Sequence, residues 1–165
     1  MNIRIAGTVN DSIVDGPGLR FAVFTQGCIH GCEGCHNPQT HDFSGGVEAD
    51  TDEIAENFKK NSLLDGITLT GGEPFCQSVP CTFLASAAHE NGLNVVTYTG
   101  YLFEELLLSS DPGIKNLLFC TDILIDGKFE KSKQSYSLAY KGSSNQRIID
   151  VAESINTGQI VILDL

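Results

Sequence analysis

With 165 residues, 41% of them apolar, the chain has the size and apolar content of one domain with a real hydrophobic core. Ten lysines and arginines against 21 aspartates and glutamates leave a net charge of −11. Such a surface repels phosphate backbones and anionic headgroups, so neither nucleic acid nor membrane is expected as a main partner.

No apolar run approaches the ~20 residues of a membrane-spanning helix, and no charged segment leads into a greasy one, so a cytoplasmic location is expected. Thiols stay reduced in that compartment. Six cysteines there favour metal binding over disulfides.

In chain order, residues 3–9 and 21–26 have the β-branched and apolar character of strands, and a cysteine-rich loop follows the second. Asp50 and Glu53 have capping-box spacing and open a helix through about Lys60, with Ile54 and Phe58 on its inner face. Residues 66–70 form a short buried strand ending at Gly71-Gly72. A helix from about Ser78 or Pro80 to Asn91 has Gly92 as its C-cap glycine. Residues 94–99 are the next strand, 102–109 the next helix, 114–119 a further helical turn, and 121–126 another strand. The polar stretch 131–145 is expected as loop, and 148–151 and 159–163 as late strands.

Alternating strands and helices imply an α/β fold with mainly parallel strands and one domain over residues 1–165. A complete eight-unit barrel needs roughly 200 residues or more, so a partial, open β/α barrel is the expectation. In such folds ligands bind at the carboxyl ends of the strands. The cysteine run, Gly71-Gly72-Glu73-Pro74, Tyr98-Thr99-Gly100 and Asp126-Gly127-Lys128 all follow predicted strands.

The run Cys28-Ile-His-Gly-Cys32-Glu-Gly-Cys35 supplies three ligands in one loop (27–37), where a structural zinc or a fully ligated iron–sulfur cube wants four. An incomplete set leaves an open coordination position, the mark of a reactive centre. Three other readings stay open on spacing alone: zinc with His30, His36 or His41 as fourth ligand, a disulfide, or a redox pair at Cys32-x-x-Cys35. Gly71-Gly72 after a strand permits close backbone approach to a ligand, or is an ordinary turn. Asp122 and Asp126 are candidate polar contacts, and Lys128 a candidate partner for a ligand carboxylate. His30, His36, His41 and His89 have no partner at catalytic spacing. Cys76, Cys81 and Cys120 are expected in the core.

A C-x3-C-x2-C run after an early strand and G-G-E-P after a later one resemble the radical S-adenosylmethionine superfamily. That resemblance implies that Cys28, Cys32 and Cys35 hold a 4Fe–4S cluster, one per chain. Its fourth iron chelates S-adenosyl-L-methionine, and Gly71, Gly72, Glu73, Thr99 and Asp126 are expected around the cofactor.

Val14-Asp15-Gly16-Pro17-Gly18-Leu19-Arg20 narrows the likeness to glycyl-radical activating enzymes, and Cys-x3-Cys-x-Gly-Cys, with Gly34 where many of that group carry an aromatic residue, is similar to the activating proteins of anaerobic (class III) ribonucleotide reductase. The likeness continues through 97–101, 122–129 and 142–147. It implies an oxidoreductase whose chemistry resides in cluster and cofactor rather than in catalytic side chains. The partner would be the large glycyl-radical subunit of that reductase, with an electron donor such as flavodoxin. Residues 148–151 and 158–161 also resemble the pyruvate formate-lyase type of activase. A small-molecule radical enzyme such as a deazapurine synthase, and a zinc-binding interaction module without activity, are the rivals.

Overall fold

A computed structural model describes all residues 1–165. Seven strands, β1 (Asn2–Ser12), β2 (Arg20–Thr25), β3 (Val47–Asp50), β4 (Gly66–Gly71), β5 (Asn94–Tyr98), β6 (Ile123–Asp126) and β7 (Arg147–Asp150), make one sheet in the order β3-β1-β2-β4-β5-β6-β7. Five helices accompany it: α1 (Thr51–Lys59), α2 (Ser78–Glu90), α3 (Phe103–Leu107), α4 (Pro112–Phe119) and α5 (Val151–Thr157).

The sheet is parallel only at its centre, where β2, β4, β5 and β6 run together. β1 is antiparallel to both β2 and β3, and β7 is antiparallel to β6. The expectation of mainly parallel strands therefore holds for the middle and fails at both edges. β3 and β7 end the sheet on opposite sides, so it is an open mixed sheet.

Side chains alternate between faces with a period of two. Phe21, Val23, Ile67, Leu69, Val95, Leu124 and Ile149 point to the helices and join one large core cluster with Ile54, Phe58 and Leu84. The ring of Phe58 meets Phe21 edge-on at 5.8 Å, which confirms the inner face read for α1. Burying a phenylalanine of this kind contributes about 1.5–3 kcal/mol.

The intervening residues, Val96, Ile125 and Ile148, form a small second cluster with Tyr98 and Tyr140 on the other face. That face also holds Arg20, fully buried with no carboxylate partner. Its guanidinium donates to Thr68 Oγ1 (2.7 Å), to the carbonyls of Pro17 (2.8 Å) and Ile67 (2.6 Å), and to Asn94 Oδ1 (2.7 Å). Thr68 in turn donates to the Asp15 carbonyl at 2.7 Å. The segment before β2 is thereby strapped across the sheet. Desolvation lowers the Arg20 value to about 10.

Two late elements differ from expectation. Residues 159–163 are not a strand; only an isolated bridge joins Ile149 to Ile162. α5 takes their place in the architecture: Asp150 caps it through the Glu153 amide (3.0 Å), and Gly158 ends it in left-handed geometry. β3 was not anticipated, because Val47-Glu48-Ala49-Asp50 lacks an apolar run and is an edge strand held by pairing with β1. No helix is long and apolar enough to cross a membrane.

Candidate functional site

The cysteine run leaves the end of β2 as a loop with few internal bonds. Its root is fixed by Gly27 N–H to the Thr40 carbonyl (2.7 Å) and Cys28 N–H to the His41 carbonyl (3.2 Å). Cys28, Cys32 and Cys35 are all free thiols and all partly exposed. Cys35 Sγ accepts the Asn37 amide at 3.4 Å. Burial pushes the Cys28 thiol up, while the amides of His30 and Gly31 act in the opposite direction.

The glycine turn is packed directly behind this loop. Glu73 N–H donates to the Gly27 carbonyl and Gly72 N–H to the Thr25 carbonyl, both at 2.8 Å. A Cβ at Gly72 would lie 2.3 Å from the Gly27 oxygen, and one at Gly71, whose φ is +96°, would lie 2.6 Å from the Thr25 nitrogen. Only glycines allow the two backbones to approach so closely.

Glu73 is completely buried. Its carboxylate accepts from His30 Nε2 (2.6 Å), Thr99 Oγ1 (3.0 Å to each oxygen), the Gly100 amide (2.8 Å) and the Phe75 amide (3.1 Å). One side chain thus ties together the cysteine loop, the glycine turn and the end of β5. The sequence offers His30 only as a possible zinc ligand and gives no sign of its bond to Glu73. Its partner lies 43 positions away, and no local spacing signals it.

Asp126 is also fully buried. Its Oδ1 accepts from Arg147 Nε at 3.0 Å, and its Oδ2 from Arg147 Nη2 and the Phe103 amide that starts α3. Arg147 continues to Glu104 through two bonds of 3.0 and 2.8 Å. These contacts hold Glu104 below the usual carboxylate range and raise Arg147 further. Asp126 is therefore occupied as the link between β6, β7 and α3.

A cavity of about 420 Å³ opens beside the cysteine loop, within the size range of small-molecule sites. Cys35, His36, Thr70, Tyr98, Phe129, Tyr140 and Gln146 are among its walls. Gly71, Gly72, Glu73, Thr99 and Asp126 are not. Alternation explains the offset: Thr70 and Tyr98 face the cavity, and the next residue along each strand faces elsewhere. Phe129 borders Gly34 and lies 5.3 Å from the His36 ring.

The remaining candidates do not line this cavity. Asp122 precedes β6, at the opposite end of the sheet from the strand ends, and binds His89 Nε2 (2.8 Å) and the Val95 amide (2.7 Å). Lys128 is exposed. Cys81 is core, with its thiol pushed far up by burial. Cys120 is half-buried, and Cys76 is exposed rather than core. Desolvation and then the Glu73 charge raise the Cys76 thiol to about 11.

The donor set, three thiols in one loop, is of the kind an iron–sulfur cluster takes, and hydrogen bonds to the sulfurs, such as that of the Asn37 amide to Cys35, tune such a centre.

Comparison with known proteins agrees. Residues 14–149 match the family model "4Fe-4S single cluster domain". The chain is 36% identical over 144 residues to the anaerobic ribonucleoside-triphosphate reductase-activating protein of Pasteurella multocida, covering 82% of this chain and 90% of that one. The proteins of the same name from Enterobacteria phage T4 (35% identity; 82% and 86% covered) and Escherichia coli K12 (33%; 81% and 90%) are similar to it as well. Among solved structures, QueE from Escherichia coli aligns over 61% of this chain and 53% of its own at 17% identity, with a TM-score of 0.47, too slight a likeness to argue from. On the strength of its relatives, the chain belongs to the family of anaerobic ribonucleoside-triphosphate reductase-activating proteins.

Proposed function

We propose that this chain, acting as a single domain in the cytoplasm, installs a glycyl radical on the large subunit of anaerobic ribonucleotide reductase. Cys28, Cys32 and Cys35 would hold a 4Fe–4S cluster, and their incomplete set would leave a position open for S-adenosyl-L-methionine. When bound, cluster and cofactor would supply one-electron reductive cleavage of S-adenosyl-L-methionine and, through it, removal of a hydrogen atom from the partner's glycine.

The protein's part is placement and exclusion of water. The Gly71-Gly72-Glu73 backbone presents main-chain groups beside the cysteine loop. Thr99 acts through Glu73, and Asp126 holds β6, β7 and α3 in register. The open sheet serves as a partial β/α barrel whose cavity, walled by Tyr98, Phe129 and Tyr140, admits the cofactor from one side and a partner loop from the other. An external one-electron donor, a flavodoxin or a protein like it, supplies the reducing equivalent. Neither nucleic acid nor membrane takes part.

The observation that carries this reading is the trio of free, part-exposed thiols in one loop, with the glycine turn packed behind it and a cavity of about 420 Å³ beside it. Anaerobic reconstitution with iron and sulfide tests it. About four irons per chain and dithionite-dependent release of 5′-deoxyadenosine are expected. Stoichiometric zinc without cleavage would make the chain a zinc-binding module instead, and cleavage coupled to a small molecule would point to a different radical enzyme.

A further inference from the structure

Resting on the reading of the three cysteines as cluster ligands, we propose that His30 and Glu73 form the latch that positions the ligand loop. Both are positioning residues, with Glu73 acting on the cluster site through its side chain rather than through a contact to the cofactor.

The Glu73 carboxylate is saturated. A carboxylate has about four lone-pair sites. Four donors already reach Glu73: His30 Nε2, Thr99 Oγ1 and the amides of Phe75 and Gly100. No acceptor site remains on the side chain for a cofactor ammonium group. What Glu73 turns to the cysteine side is its main chain, whose N–H is bonded to the Gly27 carbonyl at 2.8 Å.

The ligand loop is otherwise loosely held. Between Cys28 and Cys35, residues 29–34 make one side-chain hydrogen bond to the rest of the molecule, that of His30 to Glu73 at 2.6 Å. The remaining ties are weak: a 3.8 Å ion pair of Glu33 with Lys131, both exposed, where pairs contribute little, and the Ile29 amide turned towards the Cys76 thiol. His30 is the middle residue of the three between Cys28 and Cys32, so fixing its ring fixes the span between two ligands. The ring is 5% exposed and its partner carboxylate 0%. Tyr101 meets it edge-on at 4.7 Å. A Cβ at Gly100 would lie 2.4 Å from the ring, so the floor of this slot is shaped for an imidazole. A buried bond to a charged group, made once, is what turns an otherwise loose loop into a preorganised ligand set.

Hydrogen exchange on the metal-free chain, held reduced and anaerobic, tests the latch without any activity. In His30→Ala the hydrogen-bonded amides of Cys28 and Cys35 should exchange about tenfold faster or more, whereas those of Ile67–Leu69 in β4 stay slow as an internal reference. His30→Gln keeps an N–H donor near the Nε2 position and should recover most of the protection. After reconstitution, iron should pass to a chelator faster from His30→Ala than from the native chain or His30→Gln. Unchanged exchange in His30→Ala overturns the proposal. So does equal loss in both variants, since the donor would then be irrelevant. If the β4 reference is fast in His30→Ala, that variant is unfolded and His30→Leu, which fills the slot without a donor, takes its place, with the same outcomes deciding. Failure of the native chain to hold a cluster would sink the reading of the cysteines and leave the exchange result standing.

Discussion

Glu73 shows how one side chain organises a site assembled from three distant segments. Because its oxygens are fully occupied and fully buried, replacement by glutamine turns an acceptor into a donor opposite donors that lose their partner. Glu73→Gln should lose about 1–3 kcal/mol in denaturant unfolding, more than a surface Glu→Gln control. Gly72→Ala tests the close approach instead. With 2.3 Å to the Gly27 oxygen, the turn must move away from the cysteine loop. A destabilisation of about 1–3 kcal/mol and reduced iron loading are expected. Iron analysis and urea titration measure both; full loading in this variant would show that the approach is dispensable.

Residue by residue, the candidate site was legible where chemistry is local. Three cysteines and two glycines stand out in any reading of the chain. The His30–Glu73 bond did not stand out, because its ends lie 43 positions apart. Thr99 and Asp126 were chosen by their position after a strand. Period-two alternation puts Thr70 and Tyr98 on the cavity wall instead and sends Asp126 to the start of α3.

At the scale of elements, helix signals were read well where a cap and an apolar face coincide, as in α1 and α2. α5 was missed although Asp150, Glu153 and Gly158 carry the same capping signals that identified α1. The apolar residues after it drew attention to a strand that the structure does not form. The N-cap of α4 offers a clean test. Asp111 accepts the Gly113 amide at 2.8 Å ahead of Pro112, so Asp111→Ala should lower stability by about 1 kcal/mol and Tm by about 2–4 °C. Cluster content should not change, since α4 is remote from the cysteine loop.

The α3–β7 tie gives a pH dependence. Arg147 holds Glu104 below its ordinary value of 4.5 in the folded state. The carboxylate therefore adds stability that is fully present above that ordinary value and fades as pH falls through the depressed one. Glu104→Gln should flatten the acid side of a stability-against-pH curve measured by chemical denaturation, while leaving the neutral-to-alkaline side parallel to the native curve. An unchanged acid side would show that the pair is too solvated to matter.

For the whole molecule, the sheet is asymmetric by design of its sequence. Helices and the large core cover one face, and the other is left to a small apolar cluster, a buried arginine and a cavity at the strand ends. α/β class was legible from alternating patterns; the antiparallel edges were not, because strand direction is set by pairing partners that no local pattern names.

Radical transfer to a reductase is the role proposed for this cavity and its three cysteines. The most direct measurement mixes the reconstituted chain, S-adenosyl-L-methionine and a one-electron reductant with anaerobic ribonucleotide reductase, and records the electron paramagnetic resonance spectrum. A glycyl doublet on the reductase, absent when any one of Cys28, Cys32 or Cys35 is alanine, is the predicted result. A fully loaded cluster that cleaves the cofactor yet leaves the reductase without a radical would contradict it.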